Sequence, residues 1–286
     1  MIAAPGPGFA LARDEVERAE TRTRIAVRGL AKRFNASGRE FVAVDDVSFE
    51  VKQGEFVALL GPSGCGKSTI LNMVAGLLPR SGGRILIDED MVETGKVNPR
   101  VGYVFQRDTL FPWRTVEQNI GYGLEIAGLR RTERAGRVAS AVEKAGLSSF
   151  AQSFPSTLSG GMRQRVALMR TLIMEPEILL MDEPFGALDT HTKLEMHKTL
   201  LEIWERERQT VLFVTHDLGE ALTLASRIIL LSARPGRVKA DFKVDFPRPR
   251  DAVALRETRQ YAELFSRIWH SLGEEFARSR QADHNS

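Results

Sequence analysis

The sequence has one cysteine, Cys65, in 286 residues. That count excludes an internal disulfide and a multi-cysteine zinc site, and it fits a reducing compartment. Long apolar runs are missing as well. Stretches such as Phe56–Leu60 and Ile228–Leu231 fall far short of the ~18–20 residues of a membrane-spanning helix. The chain is expected not to cross a membrane by itself. Nor does it open like a secretory signal, which needs a basic start and then ~7–15 apolar residues. Met1–Ala12 instead places Pro5 and Pro7 among Gly and Ala, and the charged stretch Arg13–Arg24 follows. Charge of one sign is scarce: 40 Lys and Arg face 37 Asp and Glu, for a net +3. No long basic block occurs, so charge does not suggest nucleic-acid binding. His191, His197, His270 and His284 form no spaced metal cluster.

What is present has globular proportions, with 43% hydrophobic and 27% charged residues. The length suits one large domain or two small ones. Residues 1–22 read as an N-terminal extension. Short strands are expected at Ile25–Arg28, Phe41–Val44 and Val47–Val51. Phe56–Leu60 is continuously apolar, as a strand buried on both faces would be. A helix is expected over Lys67–Leu77, then strands at Arg84–Asp88 and Val101–Phe105. Between Gln106 and Ile173 the texture turns helical, with candidates at Val116–Ala127, Thr132–Ala145 and Gly160–Ile173. Alternation resumes with strands Ile178–Met181, Thr210–Val214 and Arg227–Leu231 and helices Thr190–Arg206 and Leu218–Ala225. This order argues for an α/β fold carrying an inserted helical subdomain, about residues 107–174, within a domain over 23–245. Phe246–Arg250 is a Pro/Arg-rich break. Tyr261, Leu264, Phe265, Ile268 and Leu272 then recur at helical spacing, so 246–286 reads as a C-terminal helical extension and tail.

Gly61-Pro62-Ser63-Gly64-Cys65-Gly66-Lys67-Ser68-Thr69 fits the pattern G-x-x-x-x-G-K-[ST] between a strand and a helix. Glycines let successive backbone N–H groups turn inward as an anion nest. The following helix adds its positive dipole end. Lys67 supplies a point charge to β- and γ-phosphates, and the Ser68 hydroxyl is a hard ligand for Mg²⁺. Cys65 reads either as a thiol activated by the helix start or as a small residue filling a tight turn, and the second reading is preferred. The strand Ile178–Met181 ends in Asp182 and Glu183. Beside a phosphate loop, Asp182 would hold Mg²⁺ through its bound water, and Glu183 would orient or deprotonate an attacking water. Leu158-Ser159-Gly160-Gly161-Met162-Arg163-Gln164-Arg165 opens a second helix able to meet an anion. Two phosphate-binding surfaces with one ATP loop suggest a head-to-tail dimer sandwiching ATP.

At this point the sequence resembles the ATP-binding cassette (ABC) ATPases, P-loop NTPases of α/β fold, over roughly residues 25–235. Leu158–Gln164 resembles the family signature, with Met162 where the best-known form has Gln. Gln106 resembles the Q-loop glutamine, Ala187-Leu188-Asp189 the D-loop, and Thr215-His216-Asp217 the switch-histidine loop. Phe34 stands where the family has an adenine-stacking aromatic, with Phe41 the weaker candidate. The resemblance implies roles. Glu183, His216, Lys67 and Gln106 would be catalytic. Ser68, Gln106 and Asp182 would hold Mg²⁺. Phe34, Gly61–Thr69, Gln106, Ser159, Gly160, Gly161 and Asp189 would hold ATP, the signature residues acting on the ATP of a partner copy.

A narrower resemblance lies in Phe105-Gln106-Arg107-Asp108-Thr109-Leu110-Phe111-Pro112-Trp113-Arg114-Thr115-Val116, similar to importer ATPases for nitrate, aliphatic sulfonates and taurine. Met169-Arg170-Thr171 departs from their usual Ala-Arg-Ala, a helix-packing change that leaves the catalytic residues intact. The resemblance implies a second copy of the chain, integral membrane permease subunits and, indirectly, a solute-binding protein as partners. It also implies a peripheral place on the cytoplasmic face of the inner membrane. Phe111, Pro112 and Trp113 read equally as an interface to the permease or as subdomain core. The rival readings are a soluble ABC ATPase acting on nucleic acid or ribosomes, and a non-hydrolysing regulatory module. The first usually has long coiled coils or two cassettes, which are not seen here. The second does not need the full set Lys67, Gln106, Glu183 and His216.

Overall fold

The computed structural model describes residues 22–36, 39–107 and 109–284. The expected N-terminal extension lies almost wholly outside the described residues, as does Asp108. Two strands, β1 (Thr23–Ala36) and β2 (Arg39–Lys52), form one long antiparallel ribbon rather than the three short strands expected. The reason is visible in the register. It slips between Val27 and Leu30, and again between Leu30, Lys32 and Arg33. Each bulge interrupts the two-residue alternation, so one strand reads as fragments. With β4 (Gly82–Ile87) and β5 (Asp90–Met91) this ribbon makes a four-stranded sheet in the order β2-β1-β4-β5.

The second sheet has the order β10-β9-β3-β8-β7-β6. Its strands β3 (Phe56–Leu60), β6 (Val101–Val104), β7 (Ile178–Asp182), β8 (Thr210–Thr215) and β9 (Arg227–Leu231) pair in parallel. Every residue of β3, β7 and β8 is buried. Alternation explains why their sequences are continuously apolar. Phe56, Ala58 and Leu60 enter one core, while Val57 and Leu59 enter the other. A sheet with both faces covered has no polar side to display. Each such large side chain contributes roughly 1.5–3 kcal/mol by leaving water.

Helices fill the spaces between strands. After β3 comes α1 (Lys67–Val74). Between β6 and β7 lie α2 (Val116–Ile120), α3 (Tyr122–Ile126), α4 (Arg131–Lys144) and α5 (Gly160–Leu172). A single helix over Val116–Ala127 was expected, and the break falls at Gly121. A Cβ on Gly121 would come 2.9 Å from Val138, and one on Gly123 would come 2.4 Å from the Met174 sulfur. Close approach of α4 and of the end of α5 selects glycine here, and glycine weakens the helix. Thr115 begins α2 as a capping box with Gln118.

Beyond β7 come α6 (Thr190–Glu207) and α7 (Leu218–Leu224), then the unforeseen edge strand β10 (Val238–Lys243), and α8 (Arg259–His284). The Pro/Arg-rich break has a structural task. Buried Arg250 donates to the carbonyls of Leu222, Thr223, Ala225 and Val244, satisfying the end of α7. On α8, Tyr261, Ile268 and Leu272 are buried at the expected spacing.

His197 on α6 is fully buried, edge-on to Phe185 at 4.6 Å, and neither ring nitrogen has a hydrogen-bond partner. Burial pushes its pKa down from 6.5 to about 4. The folded state therefore favours the neutral ring. The resulting stability is full above the unfolded pKa near 6.5 and is lost as pH falls through about 4. Urea unfolding at pH 7.5 and pH 4.5 is expected to show that His197→Leu loses less stability on acidification than the parent, by about 2.5 kcal/mol. Equal losses in both proteins would refute this assignment.

Candidate nucleotide site

Strand β3 runs directly into the Gly61–Thr69 loop and α1. Gly66 caps α1 with φ 98°, and a Cβ there would lie 2.9 Å from the Ala43 carbonyl oxygen. Only glycine satisfies both demands. Lys67 is buried, and its Nζ donates to the Gly61 and Pro62 carbonyls at 2.8 Å each. The ammonium thus sits curled inside the loop. Ser63 and Gly64 are exposed at its crest, Pro62 is buried and Thr69 is half-buried on α1. Cys65 is buried, and a Cβ on Gly61 would touch its sulfur at 2.9 Å. Burial pushes the thiol pKa up, against the lowering influence of Lys67. The space-filling reading of Cys65 therefore fits, and only its backbone is available to a ligand.

Ser68 Oγ donates to Asp182 Oδ1 at 2.8 Å at the end of β7. Asp182 is buried, and burial raises its pKa, with neighbouring Glu183 adding to the rise. Among the described residues no lysine or arginine forms a close ion pair with it, since Lys67 is spent on loop carbonyls. A divalent cation at this pair of hard oxygens would supply the missing charge. No group of three or more His, Cys, Asp or Glu could hold a metal among the described residues.

Glu183 is the point of convergence. Gln106 Nε2 donates to Glu183 Oε2 at 3.3 Å, and His216 Nδ1 lies 3.1 Å from the same oxygen. Glu183 has φ 46°, uncommon for a residue with a side chain. Its N–H donates to Val214 O, so the turn is held by β8. His216, which follows β8, is braced from behind. Thr215 Oγ1 donates to buried Glu220 at 2.7 Å, and Lys193 pairs with the other Glu220 oxygen at 2.7 Å. The pKa of Glu220 is raised by burial, against the pull of Lys193.

The helix start at Ser159–Gly161 faces outward. Ser159 and Gly160 are exposed, and Ser159 Oγ accepts from Met162 N–H as the cap of α5. A Cβ on Gly160 would meet only the Arg163 side chain within 4 Å, while Gly161 adjoins Leu188 and Ala187. Asp189 caps α6 by accepting from Thr192 N–H.

A family model described as ABC transporter matches residues 44–186. The chain is 42% identical over 267 residues to an ABC transporter ATP-binding protein of Methanocaldococcus jannaschii, covering 93% of this chain and 98% of that protein. The chain belongs to the ABC transporter family.

Other relatives agree. A taurine import ATP-binding protein of Rhizobium johnstonii is 47% identical over 235 residues, covering 81% of this chain and 89% of that protein. An aliphatic sulfonates import ATP-binding protein of Bacillus cereus is 40% identical over 230 residues, covering 80% and 90%. Among solved structures, a dimeric post-hydrolysis ATP-binding cassette bound to ADP and Pi superposes with a TM-score of 0.71. It is 32% identical and covers 78% of this chain and all of that chain. The chain is thus an ABC ATPase, an α/β cassette that binds and hydrolyses ATP.

Within this cassette three residues act that carried no assigned role in the sequence. Buried Gln164, on α5, donates to Glu183 O at 3.3 Å and accepts from Ala187 N–H at 3.0 Å. It ties the helix begun by Ser159 to the turn that carries Glu183. Buried Asn119 donates to the carbonyls of Phe111, Arg114 and Thr115 and accepts from Phe111 N–H, shaping the loop around Trp113. Arg234 donates to Gly64 O and lies over the Phe41 ring. Gln164 closes the signature stretch, but its partners, like those of Asn119 and Arg234, are visible only in the fold.

The aromatic pair is also clearer. Phe34 stacks on Phe41, with centroids 5.3 Å apart and planes at 21°, and Lys32 lies 4.8 Å from the Phe34 centroid. Phe34 is half-buried, and Phe41 is the exposed member. Trp113 is 71% exposed, which rejects the core reading for that residue, whereas Phe111 packs on Tyr122. Beside it opens a groove of about 770 Å³ bounded by Arg114, Gln118, Glu125 and Arg134. The departure Met169-Arg170-Thr171 is also accounted for. Met169 is buried, Arg170 donates to Thr109 O, and Thr171 Oγ1 donates to Tyr103 O.

Proposed function

We propose that this ATPase energises an importer for a small organic or inorganic solute of the nitrate, sulfonate or taurine type. Residues 23–245 form the cassette, with 107–174 its helical subdomain and 246–286 a C-terminal extension. Two copies pair head-to-tail, each offering Ser159, Gly160, Gly161 and Asp189 to the ATP held by Gly61–Thr69 of the other. Integral membrane permease subunits bind the cassettes, which therefore lie peripherally on the cytoplasmic face of the membrane. A solute-binding protein acts on the far side. The names of the taurine and sulfonate relatives support this reading. The dimeric cassette structure supports the pairing.

The observation that carries the mechanism is the meeting of Gln106 and His216 at Glu183 beside the Ser68–Asp182 pair. Lys67 leaves the loop carbonyls to meet β- and γ-phosphates, and the loop N–H groups hold the remaining charge. Ser68, Gln106 and Asp182 would hold Mg²⁺, which supplies charge neutralisation at the phosphates. Glu183 takes a proton from the attacking water. His216 contacts the γ-phosphate and orients Glu183. Phe34 and Phe41 offer the flat apolar face that a nucleobase needs.

The exposed Trp113 is the anchor for the permease. In the purified importer complex, Trp113→Ala is expected to lower solute transport at least about tenfold. The same variant in isolation should keep the basal ATPase rate, because the exposed Trp113 ring packs on Phe111 and not on a proposed nucleotide-site residue among the described residues. Undiminished transport would remove Trp113 as the anchor, and failure of the parent chain to bind any membrane subunit would sink the importer reading.

A further inference from the structure

The turn after β9 lies across the phosphate loop. A Cβ on Gly236 would stand 2.1 Å from the Cys65 carbonyl oxygen, so backbone meets backbone there without space for a side chain. Gly236 N–H donates to Ala43 O, and Asp45 N–H donates to Gly236 O, both at 3.0 Å. Two residues earlier, the Arg234 guanidinium donates through Nε and Nη2 to Gly64 O at 3.3 and 3.2 Å. Its centre is 5.3 Å from the centroid of Phe41. Among the described residues no carboxylate lies within ion-pair distance of Arg234. An unneutralised cation therefore sits between the crest of the phosphate loop and an exposed aromatic ring.

The same turn is held from the C-terminal helix. Glu275 on α8 has a fully buried side chain. Its carboxylate accepts from Ala233 N–H at 2.8 Å. Lys239 and Arg278 flank it at 2.7 and 2.9 Å. Burial alone would raise its pKa, yet these donors and cations hold it below the usual carboxylate range. A buried, ionised acceptor holding the N–H of Ala233, one residue before Arg234, leaves that turn little freedom.

We infer that Arg234 is a nucleotide-binding residue and that Glu275 is its positioning residue, fixing it over the phosphate loop from the C-terminal helix. A trans peptide places its C=O opposite the next N–H. Holding Gly64 O from outside therefore turns the Cys65 N–H inward, where it bonds Pro62 O at a long 3.3 Å. That N–H is one of the nest donors for phosphate. The Arg234 charge adds long-range attraction for a polyphosphate. The C-terminal extension is thus part of what sets ATP affinity. This inference rests on ATP occupying the Gly61–Thr69 loop.

The test is ATP affinity, measured by calorimetry on the full chain, for Arg234→Ala, Arg234→Lys, Glu275→Ala, Glu275→Gln and the double alanine variant. Lys67→Ala serves as the control for the site itself. Arg234→Ala and Glu275→Ala are each expected to weaken ATP binding roughly five- to tenfold, the size of one charge-assisted hydrogen bond. The effect should fall on KM for ATP more than on kcat. Arg234→Lys should recover part of the loss. Glu275→Gln, which keeps an acceptor for Ala233 N–H, should lose less than Glu275→Ala. The double variant should be no weaker than the worse single one, because Glu275 acts through Arg234. Affinities within twofold of the parent, or additive losses in the double variant, overturn the inference while Lys67→Ala still abolishes binding. If Lys67→Ala binds ATP normally, the underlying site reading fails instead.

Discussion

Glu183→Gln protein is expected to bind ATP with parental affinity and to hydrolyse it at least about 100-fold more slowly. Glutamine keeps the size and hydrogen-bonding reach of glutamate, so Gln106 and His216 retain a partner at 3.3 and 3.1 Å. What it loses is the ability to accept a proton from water. General-base removal ordinarily costs about 10²–10⁴ in rate. The backbone at Glu183, with φ 46°, tolerates glutamine as well as it tolerates glutamate. The variant should consequently fold and should accumulate as an ATP-bound dimer, visible by size-exclusion chromatography. Turnover near the parental rate would remove Glu183 from its role as base.

Lys67→Ala should abolish measurable ATP binding, a loss of at least about 100-fold in affinity. The ammonium is the one positive side-chain group inside the loop, and its two hydrogen bonds are to the loop's own carbonyls. Its removal leaves the Gly61 and Pro62 carbonyls to water, so the fold should survive with a circular dichroism spectrum like the parent's. Calorimetry with ATP is the check. Retained parental affinity would remove the Gly61–Thr69 loop from its role as the phosphate site.

These two residues were legible because the chemistry is local in sequence. A glycine-rich turn, a lysine and a hydroxyl must follow one another to wrap a phosphate, and an acidic pair must end a buried strand to reach it. The strands β3, β7 and β8 were equally plain, since burial on both faces forces unbroken apolar runs. Elements whose pattern depends on neighbours were harder. The bulges of β1 hid a continuous strand behind broken alternation. The edge strand β10 alternates Val238, Ala240 and Phe242 with charged residues, and that short signal is lost between turns. The split between α2 and α3 follows from Val138 and Met174 pressing on Gly121 and Gly123.

The linear sequence by itself determined the local segments on which the proposed chemistry rests: the glycine-rich loop before Lys67, the acidic strand end at Asp182 and Glu183, and the outward-facing helix start at Ser159. Each depends on residues adjacent along the chain, whose backbone geometry is set within a few positions. Long-range folding alone settled which distant side chains brace those segments. Gln164 reaches the Glu183 turn across 19 positions, and Glu275 reaches Ala233 across 42. Such contacts form only when packing brings separate helices to one turn, and their partners are backbone atoms that any sequence would supply. The signature motif contains Gln164 without disclosing its partner, and no residue pattern announces Glu275.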